Sequence, residues 1–308
     1  MTRYLITGAS GLLGLNFTLR LLKENEVIGT MNQNVLKNVP FHTLSVDFFL
    51  NDQYLKIFES IQPDVIIHCA AMANLDDCEK FPEKAYSLNT ELPGKLAHFS
   101  KRNAIKFVHI STDAVFDGKA GNYSEFDHPE PLSIYAKTKR DGEEQVLQEN
   151  AEAIIARVNF FGWSISGNRS LSEFFFNNLK ANNKINGFID VLFCPLYVSL
   201  LADLLFEMIQ KQLSGIYHVV SSDSISKYEF GCAIADKFGY DLSLINPISV
   251  SKSNLVAERS KNLTLSTQKL ATDLGKPIPR IHQGIQCFYD DFYNGFASKI
   301  NHFSENAI

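Results

Sequence analysis

Tyr135 and Lys139 stand four residues apart in PLSIYAKTK, residues 131–139, directly after a proline-punctuated loop. On a helix, positions i and i+4 share a face, so a phenol and an ammonium at this spacing can act on one atom. Ordinary helices contain the same spacing, and in isolation both readings stand. Two other stretches bear on the choice. HISTDAVFDG ends an apolar run with Ser111, Thr112 and Asp113, two hydroxyls and a carboxylate where a strand would finish. LITGASGLLG sets Gly8, Gly11 and Gly14 at what reads as the first strand-to-helix turn. Glycines there permit a tight turn and let the backbone approach a pyrophosphate, which sits at the helix N-terminus where free N–H groups and the dipole favour negative charge. Ser10 adds a hydroxyl donor, and Leu12 and Leu13 complete the stretch that would hold the anion. A purely structural turn is the alternative.

These side chains can meet only if strand ends line one crevice, and the hydrophobic pattern predicts that arrangement. YLITG, EVIGT, HTLSVD, PDVIIHCAA, KFVHIST and EAIIARV read as strands. Helical patterns separate most of them, among them Leu12 to Glu24, DQYLKIFESI, and PEKAYSLNTELPGKLAHFSKRN, the last bent near Pro93. Near-continuous apolar strands alternating with helices predict an α/β fold of Rossmann type, a doubly wound parallel sheet covered on both faces. Ligands of such sheets bind at the carboxyl ends of the strands. Residues 1–160 would form the dinucleotide-binding domain, completed by about 197–222, where a helix and the strand near Tyr217 return to the sheet. Residues 161–196 and 223–300 would form a smaller, interleaved C-terminal substrate-binding domain. The phenylalanines of SEFFFNN read as core, with a base-stacking wall as the alternative. The tail ASKINHFSENAI is polar enough to fray.

Composition narrows the partners. The net charge of −5 is mild and unclustered, which argues against nucleic acid and anionic membranes, since both call for basic patches. Cys69, Cys78, Cys194, Cys232 and Cys287 are odd in number and lack Cys-x-x-Cys spacing, so neither a zinc site nor a disulfide framework is expected. His68, His109 and His218 lie in apolar strands without ligand spacing, and no metal is assigned. Asp76, Asp77 and Glu79 read as a solvated acidic cluster. With no signal-type apolar region and no run long enough to span a bilayer, the expectation is a cytoplasmic, soluble protein.

The second strand should end at an adenosine ribose, where an acidic residue would bind the 2′-hydroxyl and repel a 2′-phosphate. Thr30, Asn32 and Asn34 are neutral, which leans toward NADP(H) over NAD(H). No arginine stands ready for the phosphate, and Lys37 is a substitute. Asp47 and Phe48 close the third strand, where a carboxylate can accept from an adenine amino group; an ordinary strand-end aspartate is the alternative. Cys69, Ala70 and Ala71 are small enough for a cofactor to lie against their backbone.

Together, ITGASGLLG, PDVIIHCAAMANLDDCEKFPEKAYSLN, STDAVFDG, YSEFDHPEPLSIYAKTKRDGE and GIYHVVSSDSISKYEFGCAIADKFG resemble the extended short-chain dehydrogenase/reductase family. Within it, the dTDP-4-dehydrorhamnose reductase group and the regulatory subunit of methionine adenosyltransferase are most similar. The resemblance covers nearly the whole chain and makes Thr112, Tyr135 and Lys139 a catalytic trio. Tyr135 would donate a proton to the oxygen of a ketone, being a competent acid with an ordinary pKa of about 10. Lys139 would lower that pKa by charge proximity and bind the nicotinamide ribose. Thr112 would hydrogen-bond the substrate oxygen, beside Asp113. Asn89 is similar to the family's helix asparagine that supports the lysine. Phe160 stands at the substrate wall where the rhamnose-forming reductases carry tryptophan nearby. Arg259 would clamp a substrate diphosphate, with a surface arginine as the alternative. The metal-binding acidic residues of some reductase dimers have no counterpart at Leu15 and Asn16, so a homodimer is left open. The implied activity is reduction of the 4-keto group of a nucleotide-linked deoxysugar with NAD(P)H. A sugar-nucleotide epimerase or dehydratase, and a non-catalytic cofactor-binding regulatory subunit, are the alternatives.

Overall fold

The computed structural model describes residues 1–32, 34–50, 52–252 and 260–304. Seven parallel strands form the central sheet. In chain order they are β1 (Arg3–Thr7), β2 (Glu26–Met31), β3 (His42–Ser45), β4 (Val65–His68), β5 (Lys106–Thr112), β6 (Ile154–Val158) and the Gly215–Val219 strand. Their spatial order runs β3, β2, β1, β4, β5, β6, then Gly215–Val219, with every pairing parallel. The chain winds outward from β1 to β3 and then crosses back to β4 on the other side of β1. That reversal opens a crevice at the carboxyl ends of β1 and β4, the usual ligand position in open α/β sheets.

Side-chain alternation explains why the strands read as continuous apolar runs. Tyr4 and Ile6 of β1, Val65 and Ile67 of β4, and Ile154 and Ala156 of β6 feed one core. Leu5, Ile66, Phe107 and Ile155 feed a second core on the opposite face. A strand buried on both faces needs apolar residues at both parities. Helix α1 (Leu12–Leu21) and the Val198–Gln210 helix cover the first face; α2 (Gln53–Ile61), α5 (Leu92–Arg102) and α6 (Ile134–Glu149) cover the second. The short α3 (Leu75–Lys80) and α4 (Pro82–Tyr86) lead into α5. Among the described residues, no helix is long and apolar enough to cross a membrane.

The bend near Pro93 is a π-helical turn, Ser87–Glu91, between α4 and α5. Proline has no N–H to donate to the carbonyl four residues back, here Asn89, and helices relieve such gaps with wide turns. Helix α6 lies against that turn at Gly142. A Cβ on Gly142 would stand 2.1 Å from the Asn89 carbonyl oxygen, so the close approach requires glycine.

The remaining elements form short paired strands, Phe160–Phe161 with Leu196–Tyr197, Ile185–Phe188 with Ile245–Ile248, and Leu192–Phe193 with Ile225–Ser226. Helices Leu171–Lys180, Lys227–Phe238 and Ile281–Tyr293 enclose an aromatic cluster in which Trp163 stacks on Phe288 at 4.0 Å. Of the SEFFFNN rings, Phe175 and Phe176 are core, whereas Phe174 is exposed. The C-terminal segment docks instead of fraying as far as Phe303: Ile300 and Phe303 are buried, and the Phe303 carbonyl accepts from Lys37 N at 2.9 Å.

Candidate active site

Two adjoining clefts open at the carboxyl edge of the sheet. The first, about 310 Å³, is lined by Gly8, Ser10, Gly11, Thr30, Phe48, Cys69, Ala70 and Ala71, together with Met31, Asn32, Asn34, Phe49, Leu88 and Arg169. Gly8 has φ +70°, and a Cβ there would stand 2.8 Å from Ala70 N; a Cβ on Gly14 would stand 2.3 Å from the Gly8 carbonyl oxygen. These glycines therefore let α1 begin directly against β1. Gly11 caps α1 without a side-chain hydrogen bond, so the first-turn N–H groups of Leu12 and Leu13 point outward uncapped. Leu13 itself is buried in the core, so only its backbone is available to the cleft. The Thr30 hydroxyl is fully buried without a partner among the described residues. A glycine cradle, a bare helix N-terminus and an orphaned hydroxyl fit a dinucleotide.

Asp47 is used otherwise than the sequence suggests. Its carboxylate accepts from Phe49 N at 2.9 Å and lies 3.5 Å from Asn32 Nδ2, closing its own turn, and it is not part of the cleft lining. Phe48 does line the cleft, edge-on to Tyr54 at 5.2 Å. Asn89 is fully buried, and its amide faces inward. Its Oδ1 accepts from Met72 N at 2.9 Å, and its Nδ2 donates to Met72 O at 3.0 Å and Thr138 Oγ1 at 3.1 Å. Asn89 makes no bond to Lys139; it ties the loop after β4 to α6.

The second cleft, about 330 Å³, contains Thr112, Asp113 and Tyr135, with Asn159, Phe193 and Lys227 opposite. Thr112 ends β5, where its Oγ1 donates to Asp113 Oδ1 at 3.1 Å and accepts from Ala114 N at 3.2 Å. Asn159 Nδ2 donates to Asp113 Oδ2 at 2.6 Å. Tyr135 lies in the first turn of α6, which Ser133 caps through Ala136 N at 3.2 Å and Glu79 holds through Ile134 N at 2.9 Å. Glu79, expected as a solvated charge, thus fixes the start of the helix that carries the phenol. Burial pushes the Tyr135 phenol up to about 12, against the lowering influence of the neighbouring Thr112 hydroxyl. Burial likewise raises Asp113 to about 6, against the hydrogen bonds from Asn159 and Thr112.

Lys139 lies one turn further along α6, buried behind both clefts. Its Nζ donates to the Ile110 carbonyl at 2.7 Å and lies 3.2 Å from His109 Nε2. Burial lowers its ammonium to about 8, opposed by the charge of Glu143. The same burial, helped by the Lys139 charge, keeps His109 well below its usual range, so the ring is neutral and accepts. The sequence-based expectation that Lys139 lowers the phenol is therefore corrected: desolvation of Tyr135 outweighs an ammonium that is directed at Ile110 and His109.

Beneath the site runs a charged network that the motif reading missed. Glu143, one turn after Lys139, accepts from Ser111 Oγ and from Arg157 Nη2 at 2.7 Å. Arg157 also approaches His218 Nε2 at 3.5 Å and the Phe116 ring at 5.0 Å. An arginine inside the buried run EAIIARV was the available signal, because a buried charge requires a partner.

Phe160 is not in the substrate-side lining. It packs against the main apolar core, and its neighbour Asn159 lines the cleft instead. Adjacent residues of extended chain point to opposite sides, so a displacement of one position exchanges them. Arg259 lies outside the described residues. Arg169, Asn159 and Lys227 are lining residues that the motifs did not single out.

Comparison with known proteins agrees with this architecture. The model of the RmlD substrate binding domain matches residues 2–294. The dTDP-4-dehydrorhamnose reductase of Aggregatibacter actinomycetemcomitans is 32% identical over 89% of this chain and 94% of its own length. Methionine adenosyltransferase 2 subunit beta of Rattus norvegicus is 32% identical over 90% of this chain and 84% of its own length. A crystal structure of dTDP-4-dehydrorhamnose reductase from Bacillus anthracis in complex with NADP superimposes with a TM-score of 0.84 at 27% identity, covering 94% of this chain and all of that one. With a family match that spans nearly every residue and a sheet that carries both clefts, the chain belongs to the RmlD substrate-binding-domain family of extended short-chain dehydrogenase/reductases.

Proposed function

We propose that the chain is an NAD(P)H-dependent reductase of the 4-keto group of a nucleotide-linked deoxysugar. The observation that carries this reading is that Thr112, Asp113 and Tyr135 line one cleft at the carboxyl edge of the sheet whose β1–α1 turn carries the glycine-lined cleft. The bound nicotinamide supplies the hydride. Tyr135, protonated below about pH 12, donates the proton that the former carbonyl oxygen needs. Thr112 orients that oxygen by turning its hydroxyl proton, here donated to Asp113 Oδ1 at 3.1 Å, onto the substrate. Lys139, one turn along α6 from the phenol, ties that helix to the end of β5 through the Ile110 carbonyl. Asn159 and Lys227 are placed to recognise polar groups of the sugar nucleotide. Asn32 and Asn34 at the end of β2 favour NADPH over NADH, because neither repels a 2′-phosphate.

The kinship with a methionine adenosyltransferase subunit supports a second reading, a cofactor-binding regulatory subunit. The intact set of Thr112, Tyr135 and Lys139 favours the reductase. A dehydratase is less well supported, since Asp113 is followed by Ala114 and no second carboxylate lines the cleft among the described residues.

The test follows NADPH and NADH absorbance against a panel of dTDP- and other nucleotide-linked 4-ketosugars. Net oxidation of the nicotinamide with one of them is expected. Tyr135→Phe should keep cofactor affinity and lower turnover by about 10²- to 10⁴-fold. Unchanged turnover in that variant would remove Tyr135 from its role. No turnover on any substrate, with stable co-purification of another enzyme, would favour the regulatory subunit.

A further inference from the structure

We infer that Arg169 is a clamp on the diphosphate of the bound dinucleotide, delivered from outside the glycine motif. This rests on the dinucleotide-dependent reading above and adds a binding residue to it. Arg169 is exposed and is the charged side chain in a first-cleft lining otherwise free of charge among the described residues. No carboxylate lies within ion-pair distance of its guanidinium among those residues.

The loop that carries it is anchored to the phosphate end of the cleft. Asn16 Nδ2, in the second turn of α1, donates both to Leu12 O at 2.8 Å and to Trp163 O at 3.2 Å. That bond ties the start of the 163–170 loop to the uncapped first turn of α1. The far end of the loop is held by a buried carboxylate. Glu173 Oε1 accepts from Ser164 N at 2.6 Å, and its Oε2 accepts from Arg169 N at 2.9 Å and Ser170 N at 3.0 Å. Asn177 Nδ2 closes the tip through Gly167 O at 2.6 Å. The backbone at Arg169 is therefore fixed by its own N–H, while its side chain is left for the cleft.

A guanidinium on a rigid base beside bare helix N–H groups matches a diphosphate. Its planar fork can take two oxygens, and the helix terminus takes the others. The tether holds the loop against the helix whose N-terminus opens on the cleft, and Arg169 shares that lining with Gly8, Ser10 and Gly11. The neutral Asn32 and Asn34 belong to the end of β2, which faces the 2′-position in folds of this type.

Isothermal titration of the full chain with ADP-ribose, NADH and NADPH tests the assignment without reference to turnover. Arg169→Ala should weaken all three alike, by about tenfold, as expected for loss of a solvent-accessible charge-assisted hydrogen-bonding group. Arg169→Lys should recover part of the loss, and added salt should narrow the gap between wild type and alanine variant. The variant should keep the wild-type melting temperature, since Glu173 is satisfied by backbone. A change of less than about twofold on all three probes, with the fold intact, overturns the clamp. A loss confined to NADPH also overturns it, by moving Arg169 to the 2′-phosphate. If the wild-type chain binds none of the probes, the dinucleotide reading itself fails.

Discussion

Replacing Glu143 with glutamine keeps the shape of the side chain and removes its charge from beneath the site. The carboxylate accepts from Ser111 Oγ, from Arg157 Nε at 3.0 and 3.2 Å, and from Arg157 Nη2 at 2.7 Å. Both ions of the pair are almost wholly buried, at 2% and 3% side-chain exposure. Desolvation of each ion costs several kcal/mol, and the mutual attraction roughly offsets it, so the intact pair contributes little net stability. The single substitution is different, because it strands the guanidinium. The Phe116 ring at 5.0 Å recovers about 2 kcal/mol at most, and His218 is held neutral by burial and by the Arg157 charge. The expected loss is about 3–5 kcal/mol, toward the lower figure because the ring and a new amide remain. Replacing both partners, Glu143→Met with Arg157→Met, should recover most of it, since no buried charge is left. Urea unfolding at constant m-value measures both. A loss below about 1 kcal/mol for the single variant would refute the claim that Arg157 depends on this carboxylate.

The same substitution has a catalytic readout. Burial already lowers the Lys139 ammonium to about 8, and Glu143 is the largest influence holding it up. Without that charge Lys139 releases its proton at lower pH, so the basic limb of the turnover profile should move in the acidic direction. Stability follows with a defined sign. The folded pKa lies below the ordinary 10.5, so between about pH 8 and 10.5 the unfolded chain holds a proton that the folded chain has released. Stability from this group therefore rises with pH across that window. The variant should extend the window downward. A basic limb that does not move would show that the charges at 139 and 143 are uncoupled.

Asp113→Asn removes a carboxyl whose folded pKa, about 6, exceeds the ordinary 3.8. Between those values the folded chain holds a proton that the unfolded chain has released, so this group's contribution falls as pH rises and stays lost above about 6. The variant should gain about 3 kcal/mol at pH 7.5 but only about 1 kcal/mol at pH 4.5, read from unfolding at both; equal gains would refute the burial argument. Gly142→Ala places a methyl 2.1 Å from a backbone carbonyl that cannot retreat without moving the π-turn. The helix-propensity gain of about 1 kcal/mol is outweighed, and a net loss of about 1–3 kcal/mol with reduced turnover is expected from thermal melts and rates. Gly94→Ala meets first the amide end of Gln145, a flexible side chain, and should stay near neutral.

Much of the frame was legible because burial on both faces leaves so simple a trace. VIIH of β4 and IIARV of β6 have no polar parity, and only a doubly covered parallel strand accommodates that. The glycine turn was legible because Gly8 and Gly14 answer to local backbone geometry. What escaped depended on contacts between distant segments. Pro93 announced a bend, but nothing local said that the freed Asn89 carbonyl would press on Gly142, forty-nine residues after Pro93 in the chain. Arg169 belongs to a loop whose position is set by Asn16, a residue of the first helix. Phe160 and Asn159 were exchanged because the parity of a two-residue strand is fixed by its partner, Leu196–Tyr197, and not by its own pattern. Asp47 was read for its position at a strand end, whereas its hydrogen bonds belong to the turn it closes.

The opposed shifts at Tyr135 and Lys139 decide which of the two carries the labile proton. Free in water, a phenol and an ammonium hold their protons almost equally, at about 10 and about 10.4. Burial favours the neutral form of each, and neutrality means keeping the proton for the phenol but losing it for the ammonium. The result is about 12 for Tyr135 and about 8 for Lys139. As pH rises the lysine therefore yields first, while the tyrosine stays a phenol throughout the neutral range. A phenol that keeps its proton is suited to reduction, in which the alkoxide forming at the substrate takes that proton away. The reverse reaction begins from the phenolate, which at pH 7 would stand about 7 kcal/mol above the phenol in this environment. A cation or hydrogen-bond donors brought against the oxygen would narrow that gap, whereas the Lys139 ammonium is directed at the Ile110 carbonyl and His109.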